Sequence, residues 1–269
     1  MTRLVHISDL HFGRDREELL DPLVRFINDL APDMVLISGD LTQRARHSQF
    51  EAARAFIDRL EPQVLAVPGN HDTPLENLFI RLATPWRRWK RHITRVLEPR
   101  AENDEVSVVG LNTADPRAWQ RGRLRGSSLR RVSRYLRQAE EGGRVGVVMM
   151  HHPPEHDEGV EKTPMKHAER GLEQLNELGA DLVLSGHLHL WRAAPHTVHG
   201  GILLVQAGTG LSTRMRGQPN DLNVLDISRD RIVVHRHAAR EGESEFRPLS
   251  SHCFERRGGV WQAASAAAQ

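Results

Sequence analysis

Apolar residues along this chain follow two rhythms. Short continuous runs at 4–7, 34–37, 64–67, 106–111, 145–150 and 182–184 read as buried strands. Between them, segments 17–30, 48–60, 127–141 and 169–178 read as helices. In the first of these, Leu19, Leu20, Leu23, Val24, Ile27 and Leu30 fall on one helical face. Gly179 ends the last of them in the C′ role. This alternation predicts sheet covered by helices. After residue 184 the helical rhythm stops. Segments 193–198, 202–205, 222–227 and 232–237 read as consecutive strands, with turns at Gly200-Gly201 and Arg229-Asp230, and predict an added antiparallel region. No linker, repeat or low-complexity segment divides the chain, so residues 1–260 are expected to form one domain. The small polar tail 261–269 is expected to fray.

Segment 81–100 stands apart, with seven basic residues and one acidic residue, Glu98. Trp86, Trp89, Ile93 and Val96 recur within it at helical spacing, which predicts a basic amphipathic helix. Such a helix either packs its Trp face on the core or, as a candidate lid, meets an anionic partner such as nucleic acid, an acidic membrane surface or a polyanionic substrate.

Composition narrows the class. A chain of 269 residues with 39% hydrophobic and 27% charged residues is long enough for a substantial core and is expected to be a folded soluble protein. The net charge of +2 makes no case for nucleic-acid binding. Among 37 basic residues only Lys90, Lys162 and Lys166 are lysine. No run approaches the roughly 18 apolar residues of a membrane span, and Asp9 comes too early for an apolar signal core. A cytoplasmic enzyme is the expectation. The single cysteine, Cys253, excludes an intramolecular disulfide and a Cys-based zinc finger. Sixteen histidines direct attention to metal and acid–base chemistry.

Five strands end in polar clusters: Ser8-Asp9-Leu10-His11, Ser38-Gly39-Asp40-Leu41-Thr42, Pro68-Gly69-Asn70-His71-Asp72, His151-His152-Pro153-Pro154 and Ser185-Gly186-His187-Leu188-His189. Ligand sites in open α/β sheets lie beyond the carboxyl ends of strands, so five such clusters can converge. Asp, His and Asn suit Zn, Mn or Fe. Asp9 and His11, like His187 and His189, are two apart and would share a side in extended backbone. Gly39, Gly69 and Gly186 would let the chain turn sharply beside the metals. Arg214 and Arg216, flanking Met215 in a Gly-containing stretch, are candidate substrate contacts.

The order Asp-x-His, Gly-Asp, Gly-Asn-His-Asp, His and Gly-His-x-His over 9–189 resembles the signature of the calcineurin-like metallophosphoesterase superfamily. DLHFG, GDLTQ, GNHD, MMHHPP and SGHLH together look most like its bacterial cyclic-nucleotide phosphodiesterase-like members. The resemblance implies an α/β fold of four layers, α-β-β-α, with two packed mixed sheets flanked by helices and serving as one catalytic domain. It implies two divalent metal ions, one held by Asp9, His11, Asp40 and His189, the other by Asp40, Asn70, His151 and His187, with Asp40 shared. His71 would stand beside the leaving group, Asp72 would orient His71, and His152 would lie behind the ligands. Gln43 departs from the family's frequent Gly-Asp-x-x-Asp. Two divalent cations against the carboxylates of Asp9 and Asp40 leave a net positive site that favours a phosphodiester, attacked by a hydroxide bridging the metals. Cyclic nucleotides or small organic diesters are the expected substrates. A nuclease and a hydrolase of lipid-linked nucleotide pyrophosphates are alternatives within the superfamily, although the latter's usual Gly-Asn-Arg-Asp is absent. A non-catalytic scaffold is the alternative from another class, and the full ligand set argues against it.

Overall fold

A computed structural model describes residues 1–157, 159–198 and 200–264. In chain order the first half contains β1 (Thr2–Ile7), α1 (Leu20–Leu30), β2 (Met34–Ile37), α2 (His47–Ile57), β3 (Gln63–Ala66), α3 (Leu78–Ala83), α4 (Arg87–His92), β4 (Arg100–Glu102) and β5 (Val106–Leu111). There follow α5 (Gly126–Glu141), β6 (Val145–Met150), α6 (Ala168–Glu177), β7 (Leu182–Ser185), β8 (Arg192–Pro195) and β9 (Leu203–Gln206). Four long or terminal strands close the fold: β10 (Asn220–Ser228), β11 (Arg231–Ala239), β12 (Arg247–Arg257) and β13 (Val260–Ala264).

These strands form two mixed sheets. One runs β13-β12-β11-β10-β1-β2-β3, with β1, β2 and β3 parallel and the other four antiparallel. The other runs β4-β5-β6-β7-β9-β8, parallel at its centre with antiparallel strands on both edges. Alternate residues of each central strand face opposite layers. Leu4 and Leu36 meet Val108, Val147, Leu184 and Leu225 between the sheets. Val5, Ile7, Val35 and Ile37 face outward onto Leu23, Ile27, Phe50 and Phe56 of α1 and α2. On the far side Val148 and Val183 meet Leu129, Leu136, Leu172 and Leu175 of α5 and α6. Burial on both faces is why these strands read as unbroken apolar runs. The result is the expected four-layer α-β-β-α arrangement.

Three local expectations change. The basic segment is two short helices, α3 and α4, broken around Thr84-Pro85, where proline removes a backbone donor. Trp89 is fully buried against Phe50, whereas Val96 is exposed, so the segment does not present one continuous face. The late strands do not form one antiparallel unit: β9 pairs in parallel with β7, and β10 crosses to the other sheet beside β1. Finally, the tail does not fray from 261. Val260–Ala264 pairs with β12 and buries Trp261 between the sheets, while 265–269 lie outside the described residues.

One polar chain crosses this apolar interior. Trp191 Nε1–H donates to Asn223 Oδ1 at 2.7 Å, which fixes the amide so that Asn223 Nδ2–H donates to His6 Nδ1 at 3.3 Å. His6 Nε2–H then donates to Ser38 Oγ at 2.9 Å. Burial pushes the His6 imidazole down to about 3.

Two outcomes follow. Trp261→Ala should lower unfolding stability by about 3–5 kcal/mol in urea titrations, the range for truncating a buried aromatic; no change would show that β13 is dispensable. Because the unfolded chain protonates His6 near 6.5 and the folded chain only near 3, His6 stabilises fully above about pH 6.5, and that contribution is lost as pH falls toward 3. The pH dependence of urea unfolding across that window should be shallower in His6→Gln than in the unaltered protein, and equal slopes would refute the account.

Candidate metal centre

The carboxyl ends of β1, β2, β3, β6 and β7 meet along the seam between the two sheets. The turns are stitched together by backbone bonds, Asp9 N–H to Gly39 O and His11 N–H to Asp40 O, both 3.0 Å, and Gly186 N–H to His151 O, also 3.0 Å. Across the seam the His187 N–H donates to Asp9 Oδ2 at 2.8 Å. Donor atoms of Asp9, His11 and His189 lie within 4.8 Å of one another, as do those of His11, Asp40 and His71, of Asp9, Asp40 and His151, and of His151, His152 and His187. The overlapping groups form one buried cluster.

Its backbone is not extended. Asp9, His11, Asp40, His187 and His189 all have left-handed φ, between +52° and +71°. The side-sharing of Asp9 with His11 and of His187 with His189 therefore comes from alternate left-handed residues. Each costs of order 1–3 kcal/mol unless its surroundings enforce it. The glycines also differ in role. Gly39 turns at φ +99°, whereas a Cβ on Gly69 would collide with Asp40 Oδ1 and one on Gly186 with Ser8 Oγ.

Hydrogen bonds fix which imidazole nitrogens face the centre. His189 Nδ1–H donates to the Arg214 carbonyl at 2.9 Å and His151 Nδ1–H to the Ser38 carbonyl at 2.8 Å. Their Nε2 atoms therefore point inward, 3.1 Å from Asp9 Oδ1 and 3.2 Å from Asp40 Oδ2 respectively. His11 Nε2 lies 3.2 Å from His189 Nε2 and 3.4 Å from Asp9 Oδ1. Asp9 Oδ1, Asn70 Oδ1 and His151 Nε2 are buried without a hydrogen-bond partner. Acceptor atoms thus face acceptor atoms, an arrangement that a cation among them resolves, and the donor set fits metal ions. The titration behaviour carries the same demand. Burial would depress His151, but the charges of Asp40 and Asp9 lift it to about 9. Burial would raise Asp9 and Asp40, but His189 and His151 respectively lead the groups that hold them well below the usual carboxylate range.

The remaining expected residues separate. His71 is partly buried, its Nδ1–H donating to Gln43 O at 2.7 Å and its Nε2 facing Arg214 Nη1 at 3.3 Å. Burial, His11 and Arg214 lower its pKa against the pull of Asp40. Asp72 does not orient His71. Its carboxylate instead accepts from the N–H groups of Gly69 and Thr42, both 2.9 Å, and from Thr42 Oγ1 at 3.0 Å, tying the third turn to the second. Burial and Asp40 raise it to about 7. The Gln43 position thus matters through its carbonyl. Within the cluster His152 differs, since both its ring nitrogens are already engaged, by Thr113 Oγ1 and by the Gln120 carbonyl, each at 2.9 Å. Arg214 reaches the site through His71 and Arg216 is exposed nearby.

Sequence reasoning missed Lys162. Its Nζ donates to the His187 carbonyl at 2.5 Å. Burial, Arg216 and Arg214 lower it to about 8 against the pull of Asp9 and Asp40. The loop around it has no periodicity or motif that could have marked it.

Comparison with known proteins bears on the family and the fold. The profile of the family described as "Calcineurin-like phosphoesterase" fits residues 2–190. A probable cyclic nucleotide phosphodiesterase of Synechococcus sp. is 28% identical over 199 residues, covering 69% of this chain and 72% of that protein. A dimetal phosphatase from Danio rerio superposes with a TM-score of 0.65 at 12% identity, over 93% of this chain and 98% of the other. A purple acid phosphatase from yellow lupin, Lupinus luteus, gives 0.66 at 15% identity, over 96% of this chain and 54% of the other. The two structures share the fold; the profile, spanning the whole run of site turns, places the chain in the calcineurin-like phosphoesterase family, as a metal-dependent phosphoester hydrolase.

Proposed function

We propose that this protein hydrolyses phosphodiesters at a two-metal centre, one ion held by Asp9, His11, Asp40 and His189 and the other by Asp40, Asn70, His151 and His187. The observation that carries this reading is the set of inward-facing acceptors, with Asp9 Oδ1, Asn70 Oδ1 and His151 Nε2 buried and unpartnered. Asp40 is the shared ligand because it adjoins both His11, at 3.8 Å, and His151, at 3.2 Å. The nitrogen and oxygen donors suit Mn, Fe or Zn. Such ions would polarise the phosphoryl oxygens and make hydroxide available near neutral pH.

The chain's own residues do the rest. Backbone carbonyls of Ser38 and Arg214 hold the His151 and His189 rings in the ligating tautomer. The Gln43 carbonyl turns His71 Nε2 to the edge of the site, where Arg214 lies within reach of the same anion. Burial, His11 and Arg214 hold the His71 pKa down in the free protein; as general acid it would take a proton from solvent once the substrate's negative charge is beside it and give that proton at Nε2 to the departing alkoxide. A 3′,5′-cyclic nucleotide or a small organic diester is the preferred substrate, a choice supported by the Synechococcus relative.

Bis(p-nitrophenyl) phosphate, cyclic AMP, a phosphomonoester, linear DNA and a nucleotide-linked lipid, each tested with Mn, Fe or Zn, separate the substrates. Cleavage of small diesters that chelation abolishes and metal restores is expected; cleavage of DNA alone would replace this reading with a nuclease. His71→Ala should retain both metals by elemental analysis while kcat falls about 10²–10⁴-fold. Asp40→Ala should lose metal itself, and two tightly held ions in that variant would remove Asp40 as the shared ligand.

A further inference from the structure

Several cations on this surface are matched to carboxylates. Arg192 pairs with Glu155 and Asp157, Arg236 with Asp221, and Arg44 and Arg46 with Glu76. The cations at the mouth of the metal centre are not. Among the described residues, Lys162, Arg214 and Arg216 have no carboxylate within ion-pair distance. All three belong to segments tied to the site: Lys162 to the His187 carbonyl, and the 214–216 turn through the Arg214 carbonyl to His189 and through its guanidinium to His71. Arg214 and Arg216 are close enough to oppose the lysine's charge, and Asp9 and Asp40 close enough to favour it.

Lys162 is also held in place. His156 Nδ1–H donates to the Lys162 carbonyl at 3.1 Å, and Arg121 Nε–H donates to the Pro164 carbonyl at 2.8 Å. An ammonium carries three donors, and the His187 carbonyl is the acceptor it has among the described residues. A half-buried lysine with unused donors, fixed on the backbone of a ligand-bearing turn beside unpaired arginines, has the form of an anion-binding group.

We infer that Lys162 is a phosphate-binding residue of this site, donating to an oxygen of the substrate phosphoryl group beside Arg214. The inference rests on the diesterase reading and assigns a residue that the strand-end motifs leave out. The bond is available to any phosphate anion, so inorganic phosphate serves as the probe.

The test compares metal-loaded Lys162→Met and Lys162→Arg with the unaltered protein. Phosphate binding is measured by calorimetry and as competitive inhibition of diester hydrolysis, with metal content and melting temperature alongside. Lys162→Met should keep both metals and its melting temperature yet bind phosphate about 10- to 100-fold more weakly, the worth of one charge-assisted hydrogen bond. Lys162→Arg should recover most of that loss. Unchanged phosphate binding in Lys162→Met overturns the inference while leaving diester hydrolysis standing. Loss of metal in Lys162→Met also overturns it, since the lysine would then act by supporting the His187 turn. A protein that binds phosphate through Lys162 yet cleaves no diester overturns the diesterase reading and keeps the lysine assignment.

Discussion

Acceptors facing acceptors govern this structure. Asp9 and Asp40 lie buried among imidazole nitrogens whose lone pairs are turned toward them, and the buried backbone leaves these atoms nowhere to rotate. Taking carboxylates out of water is expensive unless positive charge accompanies them. The turns from both sheets therefore share one requirement: each must deliver its acceptors to the seam and hold them there against mutual repulsion until cations occupy it. Metal affinity and the order of the seam are consequently two expressions of a single balance.

The surroundings meet that requirement chiefly with backbone. Carbonyls of Ser38, Gln43 and Arg214 fix the rings of His151, His71 and His189, and amides of Gly69, Thr42 and His187 fix Asp72 and Asp9. A main-chain partner cannot swing away, so the rotational freedom left to each ligand is small. It also explains why five residues of the cluster tolerate left-handed φ. The hydrogen bonds and packing on either side of each turn determine its path, and the strain is spread over two sheets and not left to one loop.

Much of this was legible in the chain. Parallel strands covered on both faces leave continuous apolar runs, and polar residues following each run mark the ends that converge. What could not be read depended on main-chain atoms or on weak patterning. Asp72 was expected to orient His71 because side chains are visible in a sequence and the Gln43 carbonyl is not. Strand β12 went unnoticed because most of its residues lie on the solvent side, with Cys253 and Phe254 its buried pair. The basic segment broke around Pro85, which has no backbone N–H to continue a helix, and Trp89 then packs inward against Phe50. Lys162 was invisible because its position comes from the path of an irregular loop.

The placement of β10 has a consequence for how the protein is made. β1, which leads into Asp9 and His11, finds β2 on one edge soon after synthesis, but its other edge pairs with residues about 220 positions later. At roughly 5–20 residues per second, that edge waits on the order of 10–40 s on a translating ribosome. During that interval the nascent sheet presents unpaired amides beside an incomplete set of charged turns. The first residues of the site to emerge are therefore among the last whose strand gains its second neighbour, and until then that edge is open to pairing with other chains.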